Sequence, residues 1–121
     1  MCSSDLWVLL AEAARAIDVR LELVGELPHE DELRRLAVMV AHECLNNAVR
    51  RGDARVVRVE SLVRDGAYEL VVTNDGRLPE GPVRESGGLA NIRAAVERSG
   101  GTLEVTWAPE VRVVARLGTR E

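Results

Sequence analysis

Four polar residues near the middle of the chain combine types and spacing that could do chemistry. Glu43, Asn46, Asn47 and Arg50 lie three or four positions apart, so on a helix they would share one face. An amide oxygen can bind Mg²⁺, a carboxylate can orient or deprotonate a nucleophile, and an arginine can neutralise a phosphate. Polar residues at this spacing more often form a solvated helix face, so the cluster alone is a weak signal.

Two further polar clusters lie where predicted elements begin or end. Asn74-Asp75-Gly76 follows a valine-rich strand pattern, which is good turn chemistry as well as a possible edge of a binding site. Gly87-Gly88 precedes a helical pattern that starts at Leu89. Backbone amides at a helix start can bind phosphate where glycine lets a ligand approach, although a glycine pair also serves simply to turn the chain.

The residue types present exclude several catalytic classes. All 16 basic residues are arginine, so neither a P-loop lysine nor a Schiff-base lysine is available. His42-Glu43 begins like the H-E-x-x-H zinc-protease motif, but Asn46 stands where the second histidine belongs. Cys2 and Cys44 form neither a disulfide framework nor a metal-ligand spacing, and the apolar helical pattern around Cys44 predicts a buried thiol.

Composition indicates one ordinary globular domain. The chain has 121 residues, of which 46% are hydrophobic and 30% charged, enough for one modest core. A net charge of −4 does not favour binding to the negatively charged phosphate backbone of a nucleic acid, so we expect no nucleic-acid partner. No signal peptide is evident, and the apolar runs are far short of the roughly 20 residues that a membrane helix needs. We therefore expect a cytoplasmic domain with no direct membrane contact, whether or not its parent protein is anchored in a membrane.

Hydrophobic periodicity predicts the elements that must position these clusters. The order is helix, strand, helix, two strands, helix and two strands. The corresponding residues are 6–17, 19–23, 33–48, 55–74, 89–96 and 102–117, with Gly52 and Gly100-Gly101 as helix stops. Residues 75–88 form a loop that is long for a compact domain, which favours a functional role. The pattern predicts an α+β sandwich with helices on one face of the sheet.

Taken in order, the three clusters resemble the N, G1 and G2 boxes of sensor histidine-kinase ATP-binding domains. This superfamily also contains gyrase, a heat-shock chaperone and the mismatch-repair ATPases. Glu43, Asn47, Ala48 and Arg50 match the N-box pattern E-x-x-x-N-A-x-[KR]. The resemblance covers about residues 6–117, so the whole chain, 1–121, is interpreted as one such domain. It implies a two-layer fold in which a mixed, mostly antiparallel sheet of about five strands is covered on one face by three helices.

The other two boxes match with identifiable departures. Asn74-Asp75-Gly76 is similar to the D-x-G box, with Asn74 in place of the usual aspartate. The run from Gly87 to Arg93, followed by Gly100-Gly101, is similar to the G2 ending of sensor kinases with short lids. Leu78 and Ser86 stand where the family has further glycines.

The resemblance implies a role for each N-box residue, with ATP and Mg²⁺ as cofactors. Glu43 would be the catalytic residue, as general base or water-orienting group, and Asn47 would be the Mg²⁺ ligand. Arg50 would contact phosphate and Arg51 would line the nucleotide pocket. His42-Glu43 also resembles the dipeptide at which histidine kinases are phosphorylated, but we expect His42 to lie beside the core stripe and to be no acceptor.

The G boxes would form the rest of the nucleotide site. Asn74 would face the adenine amino group, and Gly76 would let the backbone approach the base. An amide can present either its oxygen or its NH₂, and the sequence leaves that orientation open. Gly87 and Gly88, with Leu89 in the same run, would let the helix start and the lid at about 77–86 approach the phosphates.

The implied function is transfer of the ATP γ-phosphate to a histidine of a dimerising helical hairpin. Only one short helix precedes the first strand, so we expect that phosphoacceptor domain to be absent from this chain and a response regulator to act downstream. Two alternatives stay open. One is a degenerate nucleotide-binding regulatory module without phosphotransfer, which the departures at Asn74, Leu78 and Ser86 favour. The other is a serine kinase of the anti-sigma-factor type, which needs no hairpin.

Overall fold

The structure, a computed structural model, describes residues 19–25, 30–52, 54–64, 66–76, 87–106 and 110–119, with the backbone only for residues 49–52, 87 and 118–119. In these ranges the chain forms five strands and two helices. They are β1 (Arg20–Val24), α1 (Asp31–Gly52), β2 (Val56–Arg64), β3 (Ala67–Asn74), α2 (Gly87–Arg98), β4 (Thr102–Thr106) and β5 (Val111–Thr119). The helix predicted for residues 6–17 and the lid predicted for residues 77–86 lie outside the described residues.

The strands form a single mixed sheet in the order β1-β2-β3-β5-β4. β1 pairs with β2 in parallel, whereas the three other pairs are antiparallel. Parallel neighbours need a long crossover connection, and α1 lies in the segment that joins β1 to β2. The predicted α+β class and the mixed, mostly antiparallel sheet of five strands are confirmed, and the described residues include two of the three predicted helices.

The helices cover one face of the sheet and form the core with it. α1 packs on β2, β3 and β5, and α2 packs on α1, β4 and β5. The apolar stripe predicted for α1 is buried, because its members recur every three or four residues and so face the sheet. The buried residues of α1 are Leu36, Ala37, Val40, Ala41, Cys44, Leu45 and Ala48. Those of β2 and β3 that meet them include Val57, Val59, Leu70 and Val72.

The opposite face of the sheet carries charged side chains in cross-strand pairs. Arg58 lies 3.6 Å from Glu22 of the neighbouring strand, and Arg116 lies 3.6 Å from Glu69. Successive residues of a strand point to opposite faces, so these charges alternate with the core residues. A site that uses the helices must therefore lie on the other side, where α1 and α2 meet the sheet.

The C-terminus of α2 is closed by the predicted glycine pair. Gly100 N–H donates to the Glu97 carbonyl at 3.0 Å, and Gly101 N–H donates to the Val96 carbonyl at 2.9 Å. This is the hydrogen-bond pair of a Schellman motif, and it places Gly100 at a φ of +92°, which side chains rarely adopt. The Arg93 guanidinium also donates to the Leu103 carbonyl at 2.7 Å, which ties α2 to β4. These contacts hold the second half of α2 against β4.

Candidate functional site

Glu43 and Asn47 lie one turn apart on α1, at the margin of its buried stripe. Both residues are half-buried, because Cys44 and Ala48 beside them face the core. Glu43 Oε2 and Asn47 Oδ1 are buried atoms, and Asn47 Oδ1 accepts no hydrogen bond from the described residues. Most buried polar oxygens in proteins have a partner. Asn47 Oδ1 is therefore an atom that a cation or a hydrogen-bond donor from a ligand would stabilise.

The start of α2 lies directly against the Glu43 carboxylate. A Cβ at position 88 would meet the carboxyl carbon and both oxygens of Glu43 at less than 3.0 Å, closer than real Cβ atoms approach any heavy atom. A side chain at position 88 would therefore have to displace the Glu43 carboxylate. The sequence explained this glycine by the approach of phosphate, and it contained no signal for its contact with Glu43. The contact places a carboxylate at the amide end of a helix, where a negative charge is favourable.

Asn74 ends β3 on the helix-covered face of the sheet, because it pairs in register with Val57, whose side chain is fully buried. Its Oδ1 accepts a hydrogen bond at 2.8 Å from the N–H of Gly76, two residues further on. This bond forms an Asx turn immediately after the strand. The bond also answers the question that the sequence left open, since it defines which atom of the Asn74 amide faces the turn.

Asp75 links the turn after β3 to the start of β2. Its Oδ1 accepts backbone hydrogen bonds from Arg55 at 2.9 Å and Val56 at 3.0 Å. These bonds, that from Val56 foremost, lower the pKa of Asp75 below its ordinary value of 3.8. Ala54, just before this segment, donates its N–H to the Ala48 carbonyl of α1 at 3.1 Å. The Asp75 carboxylate therefore connects the Asn74 turn to the helix that carries Asn47.

Sequence reasoning missed this role of Asp75. The sequence indicates only a turn at this residue, because an Asn-Asp-Gly run by itself favours a turn. The only signal in the sequence is that the Asp75 carboxylate, a hydrogen-bond acceptor, follows Asn74. The sequence does not indicate that Asp75 lies beside Arg55 and Val56. Tertiary pairing of β2 with β3 brings these backbone amides to the carboxylate.

His42 differs from the expectation. It was predicted to lie beside the core stripe, but its side chain is exposed, so that argument against phosphorylation of His42 is wrong. On α1 the position precedes Glu43 by about 100° of rotation, which turns it away from the sheet. Its Nδ1 lies 3.4 Å from the Asn46 amide nitrogen one turn later. Asn46 thus contacts His42, whereas Asn47 is the amide with the buried oxygen.

Cys44 is the buried thiol that the sequence predicts. Its side chain is 6% exposed within the core under α1. Burial, with the neighbouring Glu43 carboxylate as the smaller cause, raises the pKa of Cys44 from 9.0 to about 12. A thiol with so high a pKa is neither a nucleophile nor a metal ligand at neutral pH.

A groove of about 710 Å³ runs between the first half of α1 and the start of α2, with Glu43 and Gly88 at one end. Its lining combines cationic, apolar and amide side chains. These are Asp31, Arg34, Arg35, Val38, Met39, His42, Glu43, Gly88, Asn91 and Ile92. Glu43 is therefore reached from a groove large enough for another molecule. Asn47 and Asn74 do not line this groove.

The remaining predicted site residues are described to different degrees. Arg50, Arg51 and Gly87 are described by their backbone only, within α1 and at the first residue of α2. Leu89 is 4% exposed, so its side chain belongs to the core. No group of three or more His, Cys, Asp or Glu side chains within the described ranges could hold a metal ion.

A curated relative matches the chain in sequence. The chain is 32% identical, over 92% of its length, to the signal transduction histidine-protein kinase/phosphatase UhpB of Salmonella typhimurium strain LT2. The match spans 25% of that protein, so the chain corresponds to about a quarter of its relative. A scan against protein-family models finds no match.

Solved structures of similar fold cover 95% or more of the chain. The ATP-binding domain of PrrB from Mycobacterium tuberculosis superposes with a TM-score of 0.71, at 24% identity, over 100% of this chain and 96% of that one. The chain has the fold of a histidine-kinase ATP-binding domain. The same fold occurs in the histidine kinase domain of the Erythrobacter litoralis blue-light-activated kinase EL346, with a TM-score of 0.77 and 21% identity over 95% of this chain and 59% of that one.

The resemblance to histidine kinases predicted from the motifs is thus confirmed in sequence and in fold. Within this histidine-kinase-like domain, Glu43 and Asn47 lie on α1, and Gly88 opens α2 against Glu43. Neither helix in the described part of the chain combines the length and apolar composition that a membrane crossing requires.

Proposed function

We propose that this domain binds ATP with Mg²⁺ and transfers the γ-phosphoryl group to a histidine on a separate dimerisation domain, from which a response regulator then receives it. The observation that carries the proposal is the pairing of Glu43 with Asn47 one turn apart, with a buried Asn47 oxygen and a glycine helix start against Glu43. Fold similarity to histidine-kinase ATP-binding domains and sequence similarity to a histidine kinase support it.

Asn47 fits Mg²⁺ by the chemistry of its donor atom. Mg²⁺ prefers hard oxygen ligands and usually binds through one or two protein groups plus the phosphates of a substrate. Asn47 Oδ1 is a buried amide oxygen without a donor in the described part of the chain, and it carries no charge that would repel a triphosphate. Mg²⁺ bound there would neutralise charge on the phosphates. Arg50 and Gly87 would complete the phosphate contacts. Arg51 would line the nucleotide pocket, and Asn74 and Gly76 would face the base.

Glu43 would act on the acceptor histidine. As one imidazole nitrogen attacks the γ-phosphorus, the bond from that phosphorus to the ADP oxygen breaks, and the imidazole must lose its other ring proton. Glu43 would take that proton. Its place at one end of a groove of about 710 Å³ supports access by an imidazole that another domain supplies. Packing against Gly88 would limit the positions open to the carboxylate, which favours the positioned geometry that general-base catalysis needs.

The test is phosphotransfer in trans. The domain is incubated with γ-labelled ATP, Mg²⁺ and the dimerising hairpin of its parent protein, and label on the hairpin is measured. Glu43→Gln should lower the rate by ~10²–10⁴-fold, the usual size of a general-base contribution, while ATP affinity changes little. The domain alone should incorporate no label. His42 is exposed and could in principle accept label. Strong labelling of the domain alone would therefore contradict the proposal.

A regulatory module that binds nucleotide without phosphotransfer is the second candidate, because Asn74 replaces the usual aspartate of the base-facing box. The same assay separates the two functions. Nucleotide binding without label on the hairpin, in wild type as in Glu43→Gln, would favour the module.

A further inference from the structure

The Asn74 side chain is held by the turn that it begins. The Gly76 backbone N–H can only donate a hydrogen bond, so the atom of the Asn74 amide that lies 2.8 Å from it must be the oxygen. The other terminal atom of the side chain is then the amide nitrogen Nδ2. It donates to no acceptor within the described part of the chain. Turning the amide over would bring two donors together and break the turn. The Asx turn therefore assigns both atoms of the side chain.

An aspartate at this position would present different chemistry to a ligand. A carboxylate has two oxygens, so one can accept from the turn while the other accepts from a ligand. An amide has one oxygen, and Asn74 uses it for Gly76. The outward branch of Asn74 is thus a donor, where an isosteric aspartate would offer an acceptor.

We propose that Asn74 donates its amide hydrogens to the base and that this domain accepts 6-oxopurine nucleoside triphosphates at least as tightly as ATP. This inference rests on the proposed function, in which Asn74 faces the base. Asn74 lies on the helix-covered face of the sheet and is half-buried, so its side chain is not sealed in the core.

The base chemistry follows from donor and acceptor matching. The 6-amino group of adenine is a donor and opposes the Asn74 NH₂, whereas O6 of guanine or hypoxanthine is an acceptor and suits it. An aspartate would invert the preference, because its outer oxygen accepts from the 6-amino group and repels O6. A well-placed base contact of this kind typically changes discrimination by about tenfold or more.

Calorimetric titration of the domain with Mg²⁺ and ATP, GTP or ITP tests the inference. ITP differs from ATP only at position 6 and its ring protonation, so it isolates the atom that Asn74 would read. Wild type should bind ITP at least as tightly as ATP. Asn74→Asp, which keeps the shape of the side chain and one oxygen for Gly76, should raise the ATP-over-ITP preference by about tenfold. Asn46→Asp is the matched control, since it makes the same change of amide to carboxylate on α1 and should leave the preference unaltered.

The possible results distinguish a failure of this inference from a failure of the proposed function. Binding of ATP with strong rejection of ITP and GTP by wild type would overturn the inference and leave the proposed function intact. So would an equal preference in wild type and Asn74→Asp. Failure of wild type to bind any of the three nucleotides would overturn the proposed function, and the inference with it.

Discussion

Gly88 at the start of α2 lies against the carboxylate of Glu43 on α1, so that no side chain can be accommodated at position 88 without moving Glu43. The two residues are 45 positions apart in the chain and lie on different helices. Their contact joins the candidate general base to the candidate phosphate-binding helix start. A substitution at either residue should therefore change the packing of the other.

Gly88→Ala should destabilise the domain through its contact with Glu43. The methyl would have to displace the Glu43 carboxylate, the end of a flexible side chain, so its cost should lie near the lower end of the ~1–3 kcal/mol typical of overpacking. In a Glu43→Ala background the space is empty, so the same substitution should cost much less. Urea unfolding of the two single variants and the double variant measures this coupling. An equal cost of Gly88→Ala in both backgrounds would show that Glu43 is not the residue against which the methyl packs.

Asn47→Ala should remove most of the Mg²⁺ enhancement of ATP binding and leave unfolding cooperative. The reason is that Asn47 Oδ1 is the buried oxygen that a metal would use, and because it accepts no hydrogen bond in the described part of the chain, its removal strands no donor there. Titrations with and without Mg²⁺ provide the measurement. Asn46→Ala is the matched control, because Asn46 contacts the exposed His42 and should not affect the metal. The assignment fails if the two variants depend on Mg²⁺ alike.

Asp75 should contribute a pH-dependent part of the stability. Its pKa is lower in the folded chain than its ordinary value of 3.8, because the ionised carboxylate accepts bonds from the Val56 and Arg55 amides. The contribution is therefore present above pH 3.8 and is lost as the pH falls through the lowered folded value. The unfolding free energy of Asp75→Asn should vary less with pH in this window than that of wild type. Glu104→Gln, a change at an exposed carboxylate on β4, should retain the wild-type profile.

Cys44 should be unreactive in the folded domain. With its pKa raised to about 12 by burial and by Glu43, almost no thiolate exists near pH 8. Alkylation by iodoacetamide, followed by mass spectrometry on a Cys2→Ser background, should proceed only after denaturant is added. Rapid alkylation under native conditions would mean that the α1 stripe is not packed against the sheet.

Two valines on the same strand and the same predicted face should behave differently. Val59 is fully buried, whereas Val63, at the hairpin end of β2, is 64% exposed. Val59→Ala should lower the unfolding free energy by about 2–3 kcal/mol, from lost burial and the cavity that remains. Val63→Ala should change it by no more than about 0.5 kcal/mol, as is typical of surface positions. Equal effects at the two positions would contradict the observed extent of the helical layer.

Much of the fold could be predicted because it follows from local periodicity. The apolar residues of α1 repeat every three to four positions, and apolar and polar residues alternate along β2 and β3. Both patterns are local and do not depend on the rest of the chain. Gly100 at a left-handed φ stops α2 where the glycine pair indicated. The strand order β1-β2-β3-β5-β4 was implied only by resemblance, since no local pattern says which strands become neighbours.

The sequence by itself determined which residues of the candidate site could do chemistry: Glu43 and Asn47 one turn apart on a helix, and polar turns at the ends of β3 and before α2. Tertiary structure alone decided which groups surround these residues. It placed Gly88 against Glu43, exposed His42, brought the Arg55 and Val56 amides to Asp75, and fixed the Asn74 oxygen on its own turn. The physical reason is that residue type and periodicity report on short-range geometry. The direction of a hydrogen bond and the space around an atom depend instead on groups that only folding brings together.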